Sequence, residues 1–232
     1  MMKKVILLLL VLCSFLYGAA TVEYRLLPYG IIKGIVSKKA EMNSKTIKYK
    51  YKKSFFEQEY VDDFDVVFIG DSITGWAHWN ELFPTLLTAN RGIGGDTTDG
   101  VIDRIDSIVN TKAKKAFIMI GINDILNGKE ISFIVTNYKI IIESLLESGM
   151  DVYVQSTLIT QRRDVNLKVR ELNLILRSLS KQLGVKYFDI NLGLSNEGVL
   201  SPKYTIDGIH LNGAGYTKWK KKIESYVNFS YK

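Results

Sequence analysis

Four short segments of this chain hold residue types suited to acyl transfer. In order they are Ile69-Gly70-Asp71-Ser72, Asn90-Arg91-Gly92-Ile93-Gly94-Gly95-Asp96-Thr97-Thr98, Gly121-Ile122-Asn123-Asp124 and Asp207-Gly208-Ile209-His210. The first offers a hydroxyl, the second and third offer neutral N–H donors, and the fourth offers an imidazole with a carboxylate three residues ahead of it. A serine hydroxyl is a weak nucleophile until a neighbouring base takes its proton. The oxyanion formed when it attacks a carbonyl needs donors already aimed at it. No single segment suffices; together they supply a nucleophile, an acid–base pair and an oxyanion hole.

Ser72 directly follows the β-branched run Val66 to Ile69 and is placed to open a helix, with Gly70 at the turn. Its own backbone N–H would then face the reacting carbonyl, aided by the helix N-terminus. Gly95 lies in a loop with three glycines in four residues, where a backbone must approach something closely or take a positive φ. An amide donor to an oxyanion is one reading of it and a plain structural turn is another. A phosphate loop is disfavoured, since no Gly-Lys-Ser/Thr sequel follows and Asp96 would repel a phosphate. Asn123 stands two residues past the glycine that ends the middle strand, and its side-chain amide is a neutral donor where a carboxylate would oppose developing charge.

The base is found by counting, because the chain has two histidines, His78 and His210. Asp207 is spaced to accept the Nδ1 proton of His210 while Nε2 faces Ser72. His78 reads as a pocket-rim or packing residue between Trp76 and Trp79. Trp76, Trp79 and Phe83 are the candidate walls of the substrate site. No metal set is expected, because two distant histidines leave only carboxylates and none has metalloprotease or calcium-loop spacing; no cofactor is called for.

Strands and helices must alternate to bring these segments together. Runs at Val66–Ile69, Ala116–Ile120, Val152–Gln155 and Val185–Phe188 read as strands, with a weaker one at Leu86–Ala89. Helical periods lie between them: Val101, Ile102, Ile105, Ile108; Ile131 to Leu145 closed by Gly149; Val165 to Leu183 closed by Gly184; and a last helix from about Ala214 to Tyr226. Near-continuous apolar strands separated by amphipathic helices predict a parallel sheet covered on both faces. In such sheets the site forms at the carboxyl ends of the strands.

The chain's 232 residues, 47% apolar and 24% charged, suit one globular domain with a short extension. Lys3 and Lys4 precede an uncharged run to Val22 with small residues at Gly18-Ala19-Ala20, which reads as a secretory leader over residues 1–20. An uncleaved anchor is the competitor, marginal against the roughly 20 apolar residues of a span. Lipidation at Cys13, the only cysteine, would want a small residue where Leu12 stands. Export to a periplasm or cell surface is the resulting expectation. The net charge of +7 becomes 7 − 2 = +5 without Lys3 and Lys4.

Residues 21–60 form a basic extension before a domain at 61–232. In it Lys45, Lys48, Lys50, Lys52 and Lys53 interleave with Ile47, Tyr49 and Tyr51 at a spacing of two. That suits either a solvated edge or contact with an anionic envelope polymer. An exported chain meets little nucleic acid, and no protein partner is inferred.

The segments VVFIGDSITGW, NRGIGGDTTDG, FIMIGINDI and YTIDGIHLNGAGY resemble those of the SGNH, or GDSL-type, hydrolase superfamily. They are most similar to its bacterial branch akin to the platelet-activating-factor acetylhydrolase subunits. The resemblance spans roughly Asp62 to Trp219. It implies a flavodoxin-like three-layer α/β/α sandwich with a five-stranded, mostly parallel sheet. It also implies Ser72 as nucleophile, Ser72 N–H, Gly95 N–H and Asn123 as oxyanion hole, and Asp207 and His210 completing the triad. Relatives often carry a proline after the fourth strand, where this chain has Ser156-Thr157-Leu158-Ile159-Thr160, a loop expected to border the pocket. Short loops without a lid-like insertion predict an open site for short acyl groups, such as O-acetyl on an envelope carbohydrate. A lysophospholipase or short-chain lipid esterase, and a non-catalytic envelope-binding module, are the alternatives.

Overall fold

The computed structural model describes residues 47–58 and 63–228. The chain divides into two compact units, 1–47 and 48–232, and the sheet and the site both belong to the second. The leader, Cys13 and residues 21–46 of the basic extension lie outside the described residues.

In the described part of that extension, the period of two does not make a strand. Residues 47–57 form helix α1, in which Tyr49, Lys53 and Phe56 share a face at helical spacing. Tyr49 Oη donates to Gly100 O at 2.8 Å, Lys53 Nζ pairs with Asp103 at 2.7 Å, and Phe56 is buried under the guanidinium of Arg91, 4.6 Å from its ring centre. Alternation of lysine and aromatic residues is compatible with either period over so short a stretch, and these contacts select the helix.

The five expected strands form one sheet: β1 Val66–Gly70, β2 Thr88–Gly92, β3 Lys115–Met119, β4 Asp151–Gln155 and β5 Lys186–Phe188. Their order is β2-β1-β3-β4-β5, parallel throughout. Every residue of β1 and β3 is buried, as strands covered on both faces require. Strand order reverses between β1 and β3, and the crevice above such a switch point is where doubly wound sheets bind ligands. Gly70 is in register with both Gly92 and Met119. The chain therefore leaves the three neighbouring strands at one level, just before Ser72, Gly95 and Asn123.

Strand β2 starts two residues later than its apolar run and extends through Asn90 and Arg91. Polar residues fit there because their side chains have internal partners. Asn90 Nδ2 donates to Gly75 O and Ala77 O, both at 3.1 Å.

Two one-turn helices follow β1, α2 Ser72–Gly75 and α3 Trp79–Leu82. The single helical period around Val101 to Ile108 is split into α4 Thr98–Asp103 and α5 Ile105–Val109 by a non-helical Arg104. After β3 come α6 Ile122–Leu126 and α7 Ile131–Glu147, after β4 comes α8 Arg163–Gln182, and after a small hairpin α9 Gly213–Val227 ends the fold. Gly149 and Gly184 close α7 and α8 at φ of +85° and +71°, the left-handed C-cap conformation that glycine adopts without penalty.

Helices α7 and α8 pack side by side over one face of the sheet. The opposite face is aromatic. Phe68, Phe117 and Tyr153 form a cross-strand ladder with centroid separations of 5.5 and 4.5 Å. Trp79 lies flat on Phe68 at 3.7 Å and meets Trp219 of α9 edge-on at 5.0 Å.

Trp79 and Phe83 are thus core residues, 2% and 3% exposed, and not walls of a substrate site. The break between α2 and α3 is the reason: Trp76 caps the end of α2 and projects outward, while α3 turns its aromatic residues onto the sheet. The Trp79 indole N–H is satisfied by Thr74 O at 3.0 Å, so the ring is buried without an orphaned donor. Trp79→Ala should cost about 3–5 kcal/mol of folding stability, read by urea denaturation. A stability loss below 1 kcal/mol with a raised KM would instead put Trp79 in the substrate site.

Candidate active site

Ser72 is placed by crowding on both sides. A Cβ at Gly70 would stand 2.2 Å from Thr74 Oγ1 and 2.3 Å from Met119 O, so glycine is required here by close approach and not by a positive φ. Asp71, fully buried, caps α2 by accepting from Ile73 N at 2.9 Å. The helix beyond it is a single turn, too short for the dipole the sequence suggests. Tyr216 Oη of α9 donates to Ile73 O at 2.8 Å, tying the last helix to this turn.

His210 arrives in a loop fastened at its base by the Thr205–Leu211 bridge. Gly208, at φ +82°, receives Gln161 N–H on its carbonyl at 2.8 Å and donates its own N–H to Thr205 Oγ1 at 2.9 Å. Asp207 works with both oxygens: Oδ1 accepts the backbone N–H groups of Ile209 and His210 at 3.0 and 2.8 Å, and Oδ2 faces His210 Nδ1 at 2.5 Å. Burial pushes the Asp207 carboxyl upward, but the ring and backbone hydrogen bonds outweigh it and hold the group well below the usual carboxylate range. An ionised Asp207 can only accept, so Nδ1 carries the proton and Nε2 is left as the acceptor. Nε2 lies 2.8 Å from Ser72 Oγ, across 138 residues of sequence.

Trp76, 57% exposed, stacks on the His210 ring at 4.0 Å with 22° between planes. Of the three proposed aromatic walls it is the one that stands at the site. His78 is exposed beside Glu81, 2.8 Å away, so it is not a packing residue.

Gly95, at φ +79°, sits in a turn closed by Asp96 N–H to Ile93 O at 3.1 Å. A Cβ on the preceding Gly94 would lie 4.0 Å from Ser72 Cβ, which places this turn beside the serine. Asn123, in the first turn of α6, donates from Nδ2 to Asp96 O at 2.9 Å. One amide hydrogen thereby fixes the side chain to the Gly95 turn, and the other is available to a ligand. The structure thus joins Ser72, Gly95, Asn123, Asp207 and His210 at one rim of the sheet. A hydroxyl beside an imidazole acceptor, with amide donors next to it, can attack an acyl carbon and hold the resulting oxyanion.

Sequence reading missed the charged framework beneath. Arg104 is 1% exposed, and its guanidinium donates to Asp96 Oδ2, to Arg91 O at 2.8 Å and to Gly70 O at 3.4 Å. It thus holds the ends of β1 and β2 and the Gly95 turn. Asp124 is fully buried, accepting from Thr98 N and from Thr98 Oγ1 at 2.6 Å. The available signal was an arginine inside an otherwise apolar helical period, eight residues after Asp96.

These carboxylates share little solvent. Burial drives Asp71 up to about 7, with Asp96 and Asp124 adding to the shift against the Ile73 N–H bond. Burial likewise raises Asp96 to about 6, although Arg104 pulls it down. Asp124 is also raised by burial, opposed by the Thr98 bonds.

The segment Ser156 to Thr160 is buried throughout and does not form an open loop; its Ile159 lines the cavity described below, which no triad residue lines. Amide side chains replace strand partners there: Asn173 bonds Thr157 N and O, Asn166 bonds Thr160 N and O, and Asn191 accepts from Ile159 N. Its service to the site is to deliver Gln161 to Gly208. A cavity of about 570 Å³ between α8 and β5 includes Arg170, Arg177 and Tyr187 but no triad residue. Its Asn173, Asn191 and Ser195 side chains are already spent on internal hydrogen bonds.

A pH dependence of stability is expected from Asp71. Its proton is held more tightly in the folded chain than at the ordinary value of about 3.9, so ionisation is easier in the unfolded chain. Stability should fall as pH rises from that value to about 7 and level off above it. Asp71→Asn keeps an oxygen for Ile73 N–H and removes the charge. Its urea midpoint should fall less over this window than that of the wild type, while the shift from Asp96 remains. Identical slopes in the two proteins would show that Asp71 is not the titrating group.

Comparison with known proteins agrees with this architecture. The GDSL-like lipase/acylhydrolase family matches residues 68–218. Platelet-activating factor acetylhydrolase IB subunit alpha2 of Rattus norvegicus is 32% identical over 182 residues, covering 70% of this chain and 76% of that protein; the Homo sapiens protein is 31% identical over the same shares. A solved GDSL-like lipase from Bacteroides thetaiotaomicron superimposes with a TM-score of 0.66 at 24% identity, covering 70% of this chain and 86% of that one. A catalytic mutant of an acetylxylan esterase from Geobacillus stearothermophilus gives 0.59 at 15%, covering 75% and 98%. At these identities the solved structures speak to the fold. The family match over residues 68–218, with every motif of the site inside it, makes this chain a member of the GDSL-like lipase/acylhydrolase family and a carboxylic ester hydrolase.

Proposed function

We propose that the protein is a serine esterase that removes short acyl groups, O-acetyl above all, from a carbohydrate of the cell envelope or cell surface. The observation that carries the catalytic reading is the line Ser72 Oγ, His210 Nε2, His210 Nδ1, Asp207 Oδ2, with separations of 2.8 and 2.5 Å at its two hydrogen bonds.

In this reading His210 Nε2 takes the Ser72 proton as Oγ attacks the ester carbon. The oxyanion is held by the N–H groups of Ser72 and Gly95 and by the second hydrogen of Asn123 Nδ2. The intermediate collapses, the alcohol leaves with the proton carried by His210, and Ser72 remains acylated. His210 then deprotonates a water that attacks the acyl carbon, and the acid departs as Oγ regains its proton. Asp207 orients the ring and balances the charge of the imidazolium.

The preference for a short acyl group is supported by the fate of the aromatic residues. With Trp79 and Phe83 in the core, Trp76 is the one aromatic wall left of the three. Each methylene of a long chain contributes about 0.8 kcal/mol only where there is apolar surface to cover it. The envelope location is supported by the basic, apolar, small-residue order of residues 1–20, which lie outside the described residues. The exposed Lys48, Lys50 and Lys52 of α1 suit contact with an anionic envelope polymer, which we include in the proposal.

Ser72→Ala and His210→Ala should each abolish turnover of p-nitrophenyl acetate while circular dichroism stays that of the wild type; retained turnover in either would end the assignment. Asn123→Ala should lower kcat by roughly 10²–10³-fold, and an unchanged kcat would remove it from the oxyanion hole. Across an acetyl-to-decanoyl ester series kcat/KM should be highest at the short end. A maximum at octanoyl or longer would favour a lipid esterase.

A further inference from the structure

A second feature lies beside the triad loop and plays no part in the chemistry just described. Lys203, Tyr204, Ala214, Thr217, Lys218 and Lys221 line a cavity of about 400 Å³, within the usual 300–1,000 Å³ of ligand sites. Four of these residues, at 214, 217, 218 and 221, form one stripe of α9. The other two belong to the short 3₁₀ turn Pro202–Tyr204.

That turn is bonded directly to the end of the triad loop. Asn212 N donates to Tyr204 O, and Asn212 Nδ2 donates to Lys203 O, both at 2.9 Å. The stretch of chain between them carries Asp207 and His210. The groove and the triad loop therefore share this turn as an anchor.

The charge of the groove is one-sided. Three lysines line it and no carboxylate does. Described lysine–carboxylate pairs lie elsewhere, at Lys53–Asp103, Lys114–Asp65 and Lys139–Glu143. The next acid along α9, Glu224, stands beyond Lys221 and does not line the cavity, and Asp207 is committed to His210 and to two backbone N–H groups. Lys218 is steered by its surroundings: its stem passes over Gly193, where a Cβ would stand 2.7 Å from Cε. Three exposed lysines around a concave surface, with a tyrosine beside them, complement a chain bearing repeated negative charges.

We propose that this groove is a subsite for an acidic polysaccharide, one that carries carboxylates on its sugar residues. Lys203, Lys218 and Lys221 hold those carboxylates while an O-acyl ester elsewhere on the same polymer occupies the site at Ser72. This deepens the esterase reading and rests on it. It assigns the negative charge of the substrate to α9 and the 3₁₀ turn, away from the lysines of α1.

The test compares acetate release from O-acetylated polygalacturonate and from acetylated xylan, a neutral polymer, using the full chain. In the wild type the ratio of kcat/KM for the acidic to the neutral polymer should be high at ~0.01 M salt and collapse near 1 M, where the screening length shrinks from about 30 to about 3 Å. In the triple variant Lys203→Gln, Lys218→Gln, Lys221→Gln the low-salt ratio should fall by about tenfold or more, through KM, and its salt dependence should vanish. Unacetylated polygalacturonate should compete for the acidic substrate. Equal ratios in wild type and variant would overturn the proposal, as would competition by anionic phospholipid vesicles alone, which would make the groove a membrane contact. Ser72→Ala separates the two layers. If it still releases acetate the esterase reading falls, and if it is inactive while the lysine variant keeps the wild-type ratio, the groove assignment alone falls.

Discussion

The guanidinium of Arg104 is the constraint on which the catalytic rim depends. It reaches Asp96 after the Gly95 turn, Arg91 O near the end of β2 and Gly70 O at the end of β1. Those three points are the exits from which the site is built. A buried ion pair adds little net stability compared with an apolar core, because desolvating two charges offsets most of their attraction; what it supplies is a defined arrangement. Here the arrangement is the placement of backbone. With Asp96 held, its carbonyl holds Asn123, and the Gly95 turn and Asn123 become one rigid unit. The cost is visible in the helix above, which breaks into two so that Arg104 can turn inward.

Around that cation the rim gathers more buried acid than an ordinary core would tolerate. Asp71 and Asp96 are pushed toward neutral pH by burial and Asp124 is raised in the same direction, whereas Asp207, half exposed and fully hydrogen-bonded, is held low. The contrast separates two tasks. Asp207 must be ionised to orient the imidazole and answer its charge. A carboxylate beside the serine would oppose an oxyanion, and burial shifts Asp71 toward its neutral form. Helix α1 closes this region from outside, with Phe56 under Arg91 and within 5.9 Å of the Arg104 guanidinium.

Aromatic residues divide along the same logic of position over type. Trp76 and Trp79 are three residues apart, yet one stacks on the His210 imidazole in solvent and the other lies flat on Phe68 in the core. The divide is made by the three non-helical residues Trp76, Ala77 and His78 between one-turn helices. It leaves Trp76 as the aromatic side chain beside His210, with Trp79 and Phe83 in the core.

From sequence alone the chemistry and the sheet could be read. The motifs are local, and their residue types admit few other uses in combination; the apolar runs and the glycines closing α7 and α8 impose the parallel α/β order through periodicity. What sequence could not supply depended on contacts across long separations. The separation of 138 positions from Ser72 to His210 is spanned only when β1 and the Thr205–Leu211 loop pack on the same sheet. The inward turn of Trp79 and Phe83, the burial of Ser156 to Thr160 behind asparagine side chains, and the ion pair of Arg104 were decided by which polar groups found partners inside. A buried donor or acceptor is tolerated only when satisfied, and its partner is named by the tertiary fold, not by the residue's neighbours in the chain.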